Sequence, residues 1–524
     1  MKSATPIAII GMACRYPGAA NLPELWENIL ACRQQFRDMP EVRLPADEYY
    51  DPDNRVADKT YGRRAAVLDG FEFDPRHYRI PKSSYESTDI VHWLALATAL
   101  EAFKHAGMQS GNIPNERSGV ILGNTLTGEE TRANLLRLRW PFVRKVFQRT
   151  AELHGLSPEN TRIFAATMER LYKSVFPEIT EDSLAGGLAN TIAGRICNYL
   201  DLHGGGYIVD GACSSSLLAV ATAADYLHQH KMDLVLAGGV DVSLDTFELI
   251  GFAKATALSK DEMRVYDRRG NGFIPGEGCG MVVLKRLEDA RRDGDQVLAV
   301  LRGWGISSDG RGGITAPSVK GQAKALVRAY RNAGYSPQQL DFIEGHGTGT
   351  VVGDKVELEG IASAIAEFGE VASHSIGVTS FKSIVGHTKA AAGIGGLIKT
   401  VIALNRRVLP PLAGCQLPHP SFNETAQALY PIVAGRICAA DTHLRAGVSA
   451  MGFGGINCHV TLESADPPTS GLQPSVSEQT LLASRQQSEI FPFSATDLPA
   501  LLAEIRAKAL QAKGVALIPS DSSR

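Results

Sequence analysis

Tyr207-Ile208-Val209-Asp210-Gly211-Ala212-Cys213-Ser214-Ser215-Ser216 is the stretch on which the fold turns. A short apolar run ends in Asp-Gly-Ala, and a Ser-, Ala- and Leu-rich segment follows at once, Ser214 to Tyr226 reading SSSLLAVATAADY. The first part predicts a strand. The second predicts a helix that is apolar all round and therefore buried. A helix of the same kind, Thr388 to Leu404 (TKAAAGIGGLIKTVIAL), lies in the other half of the chain. Two central buried helices predict a duplicated, layered architecture. Around them, apolar runs such as Ser118 to Gly123 and Leu234 to Gly239 alternate with helix-length patterns such as Asp89 to Ala106 and Gly321 to Ala333. Such alternation predicts α/β layers with largely parallel strands.

The same stretch places Cys213 on a tight turn at a helix N-terminus. Free N–H groups and the helix dipole there are expected to lower the thiol pKa and to receive an oxyanion when an acyl group sits on sulfur. The chain has 8 Cys without a C-x-x-C pair, which argues against a disulfide framework or a zinc site. Most of these thiols read as small core residues, and the small residues around Cys213 single it out.

Two histidines sit on comparable turns. Glu344-Gly345-His346-Gly347-Thr348-Gly349-Thr350 follows the apolar segment Phe342-Ile343, with Gly on both sides of the ring and two hydroxyls suited to the amides of a flexible arm. Lys382-Ser383-Ile384-Val385-Gly386-His387-Thr388 precedes the second buried helix, where a helix N-terminus disfavours imidazolium. Lys382 needs an anionic partner if buried, and Glu357 and Asp354 are the candidates. Gly452-Phe453-Gly454-Gly455-Ile456-Asn457 offers a mobile aromatic and unshielded N–H groups, or simply a Gly-rich turn. One thiol with two neutral imidazoles suits acyl storage on sulfur. Decarboxylation of a malonyl thioester then gives an enolate held by two hydrogen-bond donors. A Cys-dependent acyltransferase or hydrolase, the reading from another class, needs only one His with an orienting Asn or Asp.

These motifs resemble the ketosynthase domains of polyketide and fatty acid synthases, over about residues 5 to 463. Ile9-Ile10-Gly11-Met12-Ala13-Cys14-Arg15-Tyr16-Pro17-Gly18 and Asp267 to Lys285 (DRRGNGFIPGEGCGMVVLK) extend the match. The resemblance implies a thiolase-type fold, with duplicated halves in five α-β-α-β-α layers, usually a homodimer. It implies Cys213 as nucleophile with His346 and His387 as its catalytic partners, and a supporting Lys382–Glu357 pair. It also implies Thr348 and Thr350 as contacts of the substrate arm, and an oxyanion hole from the N–H groups of Cys213 and the gating Phe453. Non-condensing relatives replace the nucleophile, which Cys213 argues against.

Local departures include Tyr85-Glu86-Ser87-Thr88-Asp89-Ile90-Val91-His92-Trp93, Asn190-Thr191-Ile192-Ala193-Gly194-Arg195, and Lys389 where modular synthases carry Glu after Gly-His-Thr. They are most similar to iterative type I synthases that make enediyne polyene precursors. Polyunsaturated-fatty-acid-type or other type I synthases are the alternative. No cofactor is expected to be bound intrinsically. Phosphopantetheine would be carried by an acyl carrier protein, the expected partner alongside acyl and malonyl thioesters.

Composition fits this outline. The 524 residues are 44% hydrophobic and 21% charged, with 52 Gly for tight strand–helix turns. A net charge of -3 gives no field for nucleic acid or an anionic membrane. The run Ile7-Ala8-Ile9-Ile10 is too short for a signal or membrane segment, so a cytoplasmic location is expected. The acid-free stretch Arg132 to Arg149 (RANLLRLRWPFVRKVFQR) reads either as a solvated amphipathic helix interrupted at Pro141 or as a docking face for an acidic partner through Arg137, Arg139 and Arg144. Composition shifts after Glu463, so residues 1–463 are expected to form the folded domain and 464–490 a Pro/Ser/Gly linker. Residues 491–524 are expected to begin a further linker or domain.

Overall fold

Strand β1 (Ile7–Arg15) runs through the middle of the sheet in this computed structural model. The structure describes residues 4–465 apart from positions 110, 127, 312 and 315, together with 475–483 and 493–512. Ile7 and Ile9 enter one apolar cluster while Ala8 and Ile10 enter another. A bulge between Ile9 and Gly11 then reverses the parity, so that Met12 and Cys14 rejoin the first cluster and Ala13 the second. A strand covered on both faces needs apolar residues at every position, which explains the unbroken run IAIIGMA.

Among the described residues the main sheet has eleven strands. After β1 come β2 (Ser118–Gly123), β3 (Gly206–Val209), β4 (Leu234–Asp241) and β5 (Gly278–Arg286) in the first half. The second half supplies β6 (Ala299–Ser308), β7 (Phe342–Glu344), β8 (Ile376–Thr379), β9 (Leu429–Pro431), β10 (Arg445–Gly452) and β11 (Ile456–Ser464). Across the sheet the order is β9-β8-β7-β10-β11-β6-β1-β5-β4-β2-β3. Each half has a parallel set, β3-β2-β4 and β9-β8-β7-β10, followed by antiparallel strands. The halves meet where Ile7, Ala8 and Ile9 of β1 pair with Leu301, Val300 and Ala299 of β6.

The longer helices of the first half are α1 (Leu22–Leu30), α2 (Ile90–His105), α3 (Glu129–Leu138), α4 (Trp140–Leu153), α5 (Pro158–Ser174), α6 (Ser215–His228) and α7 (Thr246–Lys254). The second half has α8 (Val319–Ala333), α9 (Val351–Ala366) and α10 (Ala392–Arg406). Helices α6 and α10 are the two expected buried helices. Both lie in one central cluster with Ile121, Val235 and Val282 from the first half of the sheet and Phe342, Val448 and Val460 from the second. Separate clusters cover the outer face of each half. This is the thiolase-type α/β layering.

Small residues in α6 and α10 allow their close crossing. A Cβ on Gly393 would lie 3.0 Å from Leu217 Cβ, and Ile394 N–H donates to Ser216 Oγ at 3.0 Å. Lys399, within the same buried helix, is compensated by Glu344 at 2.9 Å and donates to Thr379 Oγ1 at 2.8 Å.

The basic stretch is two helices rather than one. α3 ends at Leu138, and Pro141 stands in the first turn of α4, where its missing N–H costs nothing. Its charges are partly spent locally. Arg132 pairs with Asp245 at 2.9 Å, Arg137 donates to the Phe176 carbonyl at 3.0 Å, and the Arg139 guanidinium lies 5.6 Å from the Phe142 ring centroid. That favours the solvated-helix reading over an acidic docking face.

The expected linker contains a docked helix, α11 (Val476–Ala483). Buried Glu478 accepts from Trp26 Nε1 of α1 at 2.7 Å, and Leu481 is buried. Helix α11 thus packs against α1, where the buried Trp26 indole N–H needs an acceptor. Residues 466–474, 484–492 and 513–524, in the expected linker and at the end of the chain, lie outside the described residues, and a helix spans Leu498–Ala512. Among the described residues no helix is long and apolar enough to cross a membrane.

Candidate active site

Four segments reach one cavity of about 520 Å³, each leaving the C-terminal end of a strand in a parallel set. Cys213 follows β3, His346 follows β7, His387 follows β8 and Phe453 follows β10. All four line this cavity, with Thr348, Thr350 and Glu357. A second cavity of about 680 Å³ is lined by Arg43, Glu277, Arg132 and Asp245, which pair with one another and bring no nucleophile.

Ala212 puts the Cys213 elbow in an unusual conformation, φ +51°, although it carries a Cβ. Such a residue persists only where neighbours hold it. Asp210 Oδ1 accepts from Ala212 N–H at 2.9 Å, Ser215 Oγ accepts from Gly211 N–H at 2.9 Å, and Ser214 and Ser215 hydroxyls donate to the Gly211 and Ala212 carbonyls at 2.8 and 2.6 Å. The three serines after the nucleophile are thus mostly fasteners of the turn.

The thiol borders the cavity, and burial pushes it up to about 11. Lys382, Lys389 and the Phe453 N–H pull the other way and Asp241 adds to the rise. This corrects the expectation of a depressed thiol pKa. The helix begins with a single 3-10 turn, and removal from water outweighs the two lysine charges and the Phe453 N–H.

Both histidines are held well below their ordinary value by burial first. Lys382 adds to this at both rings, His387 at His346, and Lys389 at His387. Their rings stand edge to face with centroids 5.5 Å apart. His346 Nδ1 accepts from Met451 N–H at 3.2 Å, and His387 Nδ1 accepts from Lys389 N–H at 3.1 Å. A neutral imidazole has one donor nitrogen and one acceptor. With both Nδ1 atoms used as acceptors, the proton of each ring sits on Nε2.

Gly345 and Gly347 serve the His346 loop by close approach. A Cβ on Gly345 would lie 1.9 Å from the Tyr266 hydroxyl, and Gly347 has φ +35° against Val265 and Ser380. Glu357 does not pair with Lys382, contrary to the expected ion pair. Its carboxylate accepts from His346 N–H at 2.6 Å, Gly347 N–H at 2.8 Å and Tyr266 Oη at 2.8 Å. Lys382 instead donates to the His346 carbonyl at 2.6 Å, with Nζ 3.4 Å from Nδ1. Loop N–H groups compete for Glu357 because each buried amide needs an acceptor. Asp354 does the same for Tyr266, Thr348 and Gly349 N–H groups, and burial pushes it up to about 7. Burial lowers Lys382, with Glu344 and Glu357 opposing.

Thr348 and Thr350 hydroxyls are 2.9 Å apart on the cavity wall, and Thr350 also caps α9. The Phe453 ring is 45% exposed and lies 6.3 Å from Phe252. Gly454 and Gly455 take φ of +90° and +78°, while a Cβ on Gly452 would meet the Gly211 carbonyl oxygen at 2.1 Å. That contact brings the Phe453 loop against the elbow, so that its N–H reaches the thiol. Tyr266, Asp241 and Glu248 also belong to this site and carry no local motif. Only their strand and helix neighbours bring them here.

The β-ketoacyl synthase N-terminal domain model matches residues 4–290 and its C-terminal counterpart matches 298–416. The chain belongs to the β-ketoacyl synthase family. This ketosynthase is accordingly a transferase of decarboxylative condensation. It is 35% identical over 471 residues to one component of the polyunsaturated fatty acid synthase of Thraustochytrium, covering 88% of this chain and 16% of that protein. It is 34% identical to one component of the phenolphthiocerol/phthiocerol polyketide synthase of Mycobacterium tuberculosis, covering 90% and 24%. The ketosynthase therefore spans less than a quarter of the length of these two relatives. Among solved structures it resembles the ketosynthase of module 6 of the Bacillus subtilis bacillaene synthase, with TM-score 0.73, 31% identity and coverage of 88% and 72%. It also resembles a Streptomyces albus oxazolomycin ketosynthase domain, with TM-score 0.75, 27% identity and coverage of 97% and 81%.

Proposed function

We propose that Cys213 carries the growing acyl chain and that His346 and His387 activate a malonyl thioester, within an iterative synthase of the enediyne polyene type. The observation that carries the site assignment is the tautomer pair. With Nδ1 filled by a backbone N–H on each ring, neither neutral imidazole has a free acceptor for the Cys213 proton. Both can donate from Nε2, which is what an enolate oxygen requires and a Cys hydrolase does not.

The steps follow from this. The thiol of Cys213, assisted by the Lys382 charge and the Phe453 N–H, attacks the acyl thioester. Its proton passes to the departing arm thiol. Thr348 and Thr350 hold the amides of the incoming malonyl arm. The malonyl C–C bond breaks, CO₂ leaves, and the electron pair becomes an enolate held by two Nε2–H donors. Its carbon attacks the acyl carbonyl on Cys213, and the N–H groups of Cys213 and Phe453 hold the tetrahedral oxyanion. Collapse releases the Cys213 thiolate, which regains a proton, and a β-ketoacyl thioester. Lys382 and Glu357 keep the His346 loop in place from opposite sides.

The arm is phosphopantetheine on an acyl carrier protein, and the enzyme works in the cytoplasm. A homodimer belongs to the same proposal. Strand β3 leaves one edge without a strand among the described residues, and α4, earlier in the chain, exposes Phe142 and Val146. The local strings at 85–93 and 190–195 support the enediyne type. The 35% identity to a polyunsaturated fatty acid synthase component supports the alternative.

Intact-protein mass after incubation with acyl thioesters of graded length tests the assignment. Wild type gains one acyl group and Cys213→Ala gains none. Full loading of Cys213→Ala would overturn it. Conjugated polyenoyl thioesters are expected to load about tenfold faster than saturated ones of equal length, and the reverse order favours the fatty acid reading.

A further inference from the structure

Lys389 sits two residues beyond His387 and is buried with its charge. Its Nζ lies 2.8 Å from Asp241 Oδ1 and 3.0 Å from Glu248 Oε2, and both carboxylates are buried. Asp241 ends β4 and Glu248 lies on α7, so the first half of the fold grips a turn of the second. Asp241 Oδ2 also receives the Ala390 N–H at 3.4 Å. The backbone at Lys389 is left-handed, φ +48°, which a residue with a Cβ adopts only when it is held. In that conformation the Lys389 N–H reaches His387 Nδ1 at 3.1 Å. A carboxylate at this position would crowd a third anion against Asp241 and Glu248. A residue without charge would leave those two unpaired.

We propose that Lys389 is a positioning residue for His387: its ion pairs to Asp241 and Glu248 hold the left-handed turn whose N–H fills Nδ1 and so keeps the Nε2 proton directed at the substrate. This rests on the reading of His387 as a donor in decarboxylation. Lys389 also adds a positive field behind the ring. The charged and titratable groups around His387 are Lys382 and His346 beside it, Cys213 on the same cavity, and Lys389 with Asp241, Glu248 and Glu277 behind. Burial of the ring, Lys382 and Lys389 all keep it neutral. Losing Lys389 removes one cation and frees two anions, so the ring should protonate at a higher pH.

The test uses the chain itself with two probes, malonyl-N-acetylcysteamine for CO₂ release and hexanoyl-N-acetylcysteamine for acylation of Cys213. For Lys389→Met, kcat for CO₂ release falls about 10- to 100-fold while KM stays within about twofold. Its acid limb moves to higher pH, and acylation, for which the Cys213 thiol loses one of the cations that lower it, falls less than CO₂ release, by no more than about threefold. If that variant does not fold, Asp241→Asn/Glu248→Gln/Lys389→Met removes the buried charges together and should show the same loss of kcat. Wild-type kcat with an unmoved acid limb overturns the proposal. So does a parallel loss of acylation and CO₂ release, which would make Lys389 merely structural. A His387→Ala control that releases CO₂ at the wild-type rate would instead overturn the donor reading itself.

Discussion

The turn before α6 and the turn before α10 use one backbone device with two kinds of fastening. Each runs through a 3-10 turn into a buried helix, the first from a parallel strand and the second after a short helix at Lys382–Val385, and each contains a left-handed residue that is not Gly, Ala212 or Lys389. The Cys213 turn is the less buried of the two. Exposed Asp210 and two serine hydroxyls tie it through hydrogen bonds to backbone N–H and carbonyl groups. The His387 turn lies deep, 3% exposed at His387, and a buried cation between two carboxylates ties it. Near water, backbone groups can be satisfied cheaply. Deep in the fold a charge persists only when its partners are also built in, so the whole set must be present at once.

Gly452→Ala attacks the elbow side hardest. The added Cβ would fall 2.1 Å from the Gly211 carbonyl oxygen and push the Phe453 loop away. Condensation should drop about 100-fold through loss of oxyanion geometry, while CO₂ release at the His387 turn changes far less. Equal losses in both assays would show that the two turns are not separable.

A pH comparison probes the deeper turn. His387 is held below its unfolded value, so it stays neutral in the folded protein while unfolded chains take up protons. Its contribution to stability is present above about pH 6.5 and is lost progressively as pH falls below that. Urea unfolding of His387→Gln should show a correspondingly smaller acid loss than wild type. An equal loss in both would remove His387 from the acid response. The Cys213 thiol, raised toward 11, predicts the opposite sign for the elbow, with stability lost as pH rises from about 9.

The smallest effect separates the fastenings directly. Ala212→Gly relieves a left-handed Cβ without removing a side-chain bond, and should raise stability by about 0.5–1 kcal/mol. Lys389→Gly relieves the same strain but strips two ion pairs, and should lower stability in the same unfolding experiment. Destabilisation by Ala212→Gly would mean that the elbow is not strained.

Much of this arrangement was legible in the chain. The run Ser118 to Gly123 forms a strand with those bounds, and the pattern at Asp89 to Ala106 becomes a helix at Ile90–His105 with Asp89 as its N-cap. The Ser214 and Thr388 segments become the two central helices, each after a 3-10 turn. Cys213, His346, His387 and Phe453 share a cavity because each stands just past a strand end, a local feature that motifs record. The partner of Lys382 was not legible. Glu357 and Asp354 are near it in the fold, yet both are taken by backbone N–H groups of the His346 loop.

The thiol shows the same division. A Cys at a helix start reads as an activated thiol, and only the packed structure shows how much water it loses. The alternation of strands and helices, the two buried helices and the residue types of the site are written in the chain, because those rest on periodicity and local turn chemistry. Packing settles which carboxylate meets which cation, which nitrogen of each histidine holds its proton, and in which direction each pKa moves. Those depend on groups far apart in sequence and on distances of a few ångströms, over which buried charges and hydrogen bonds act.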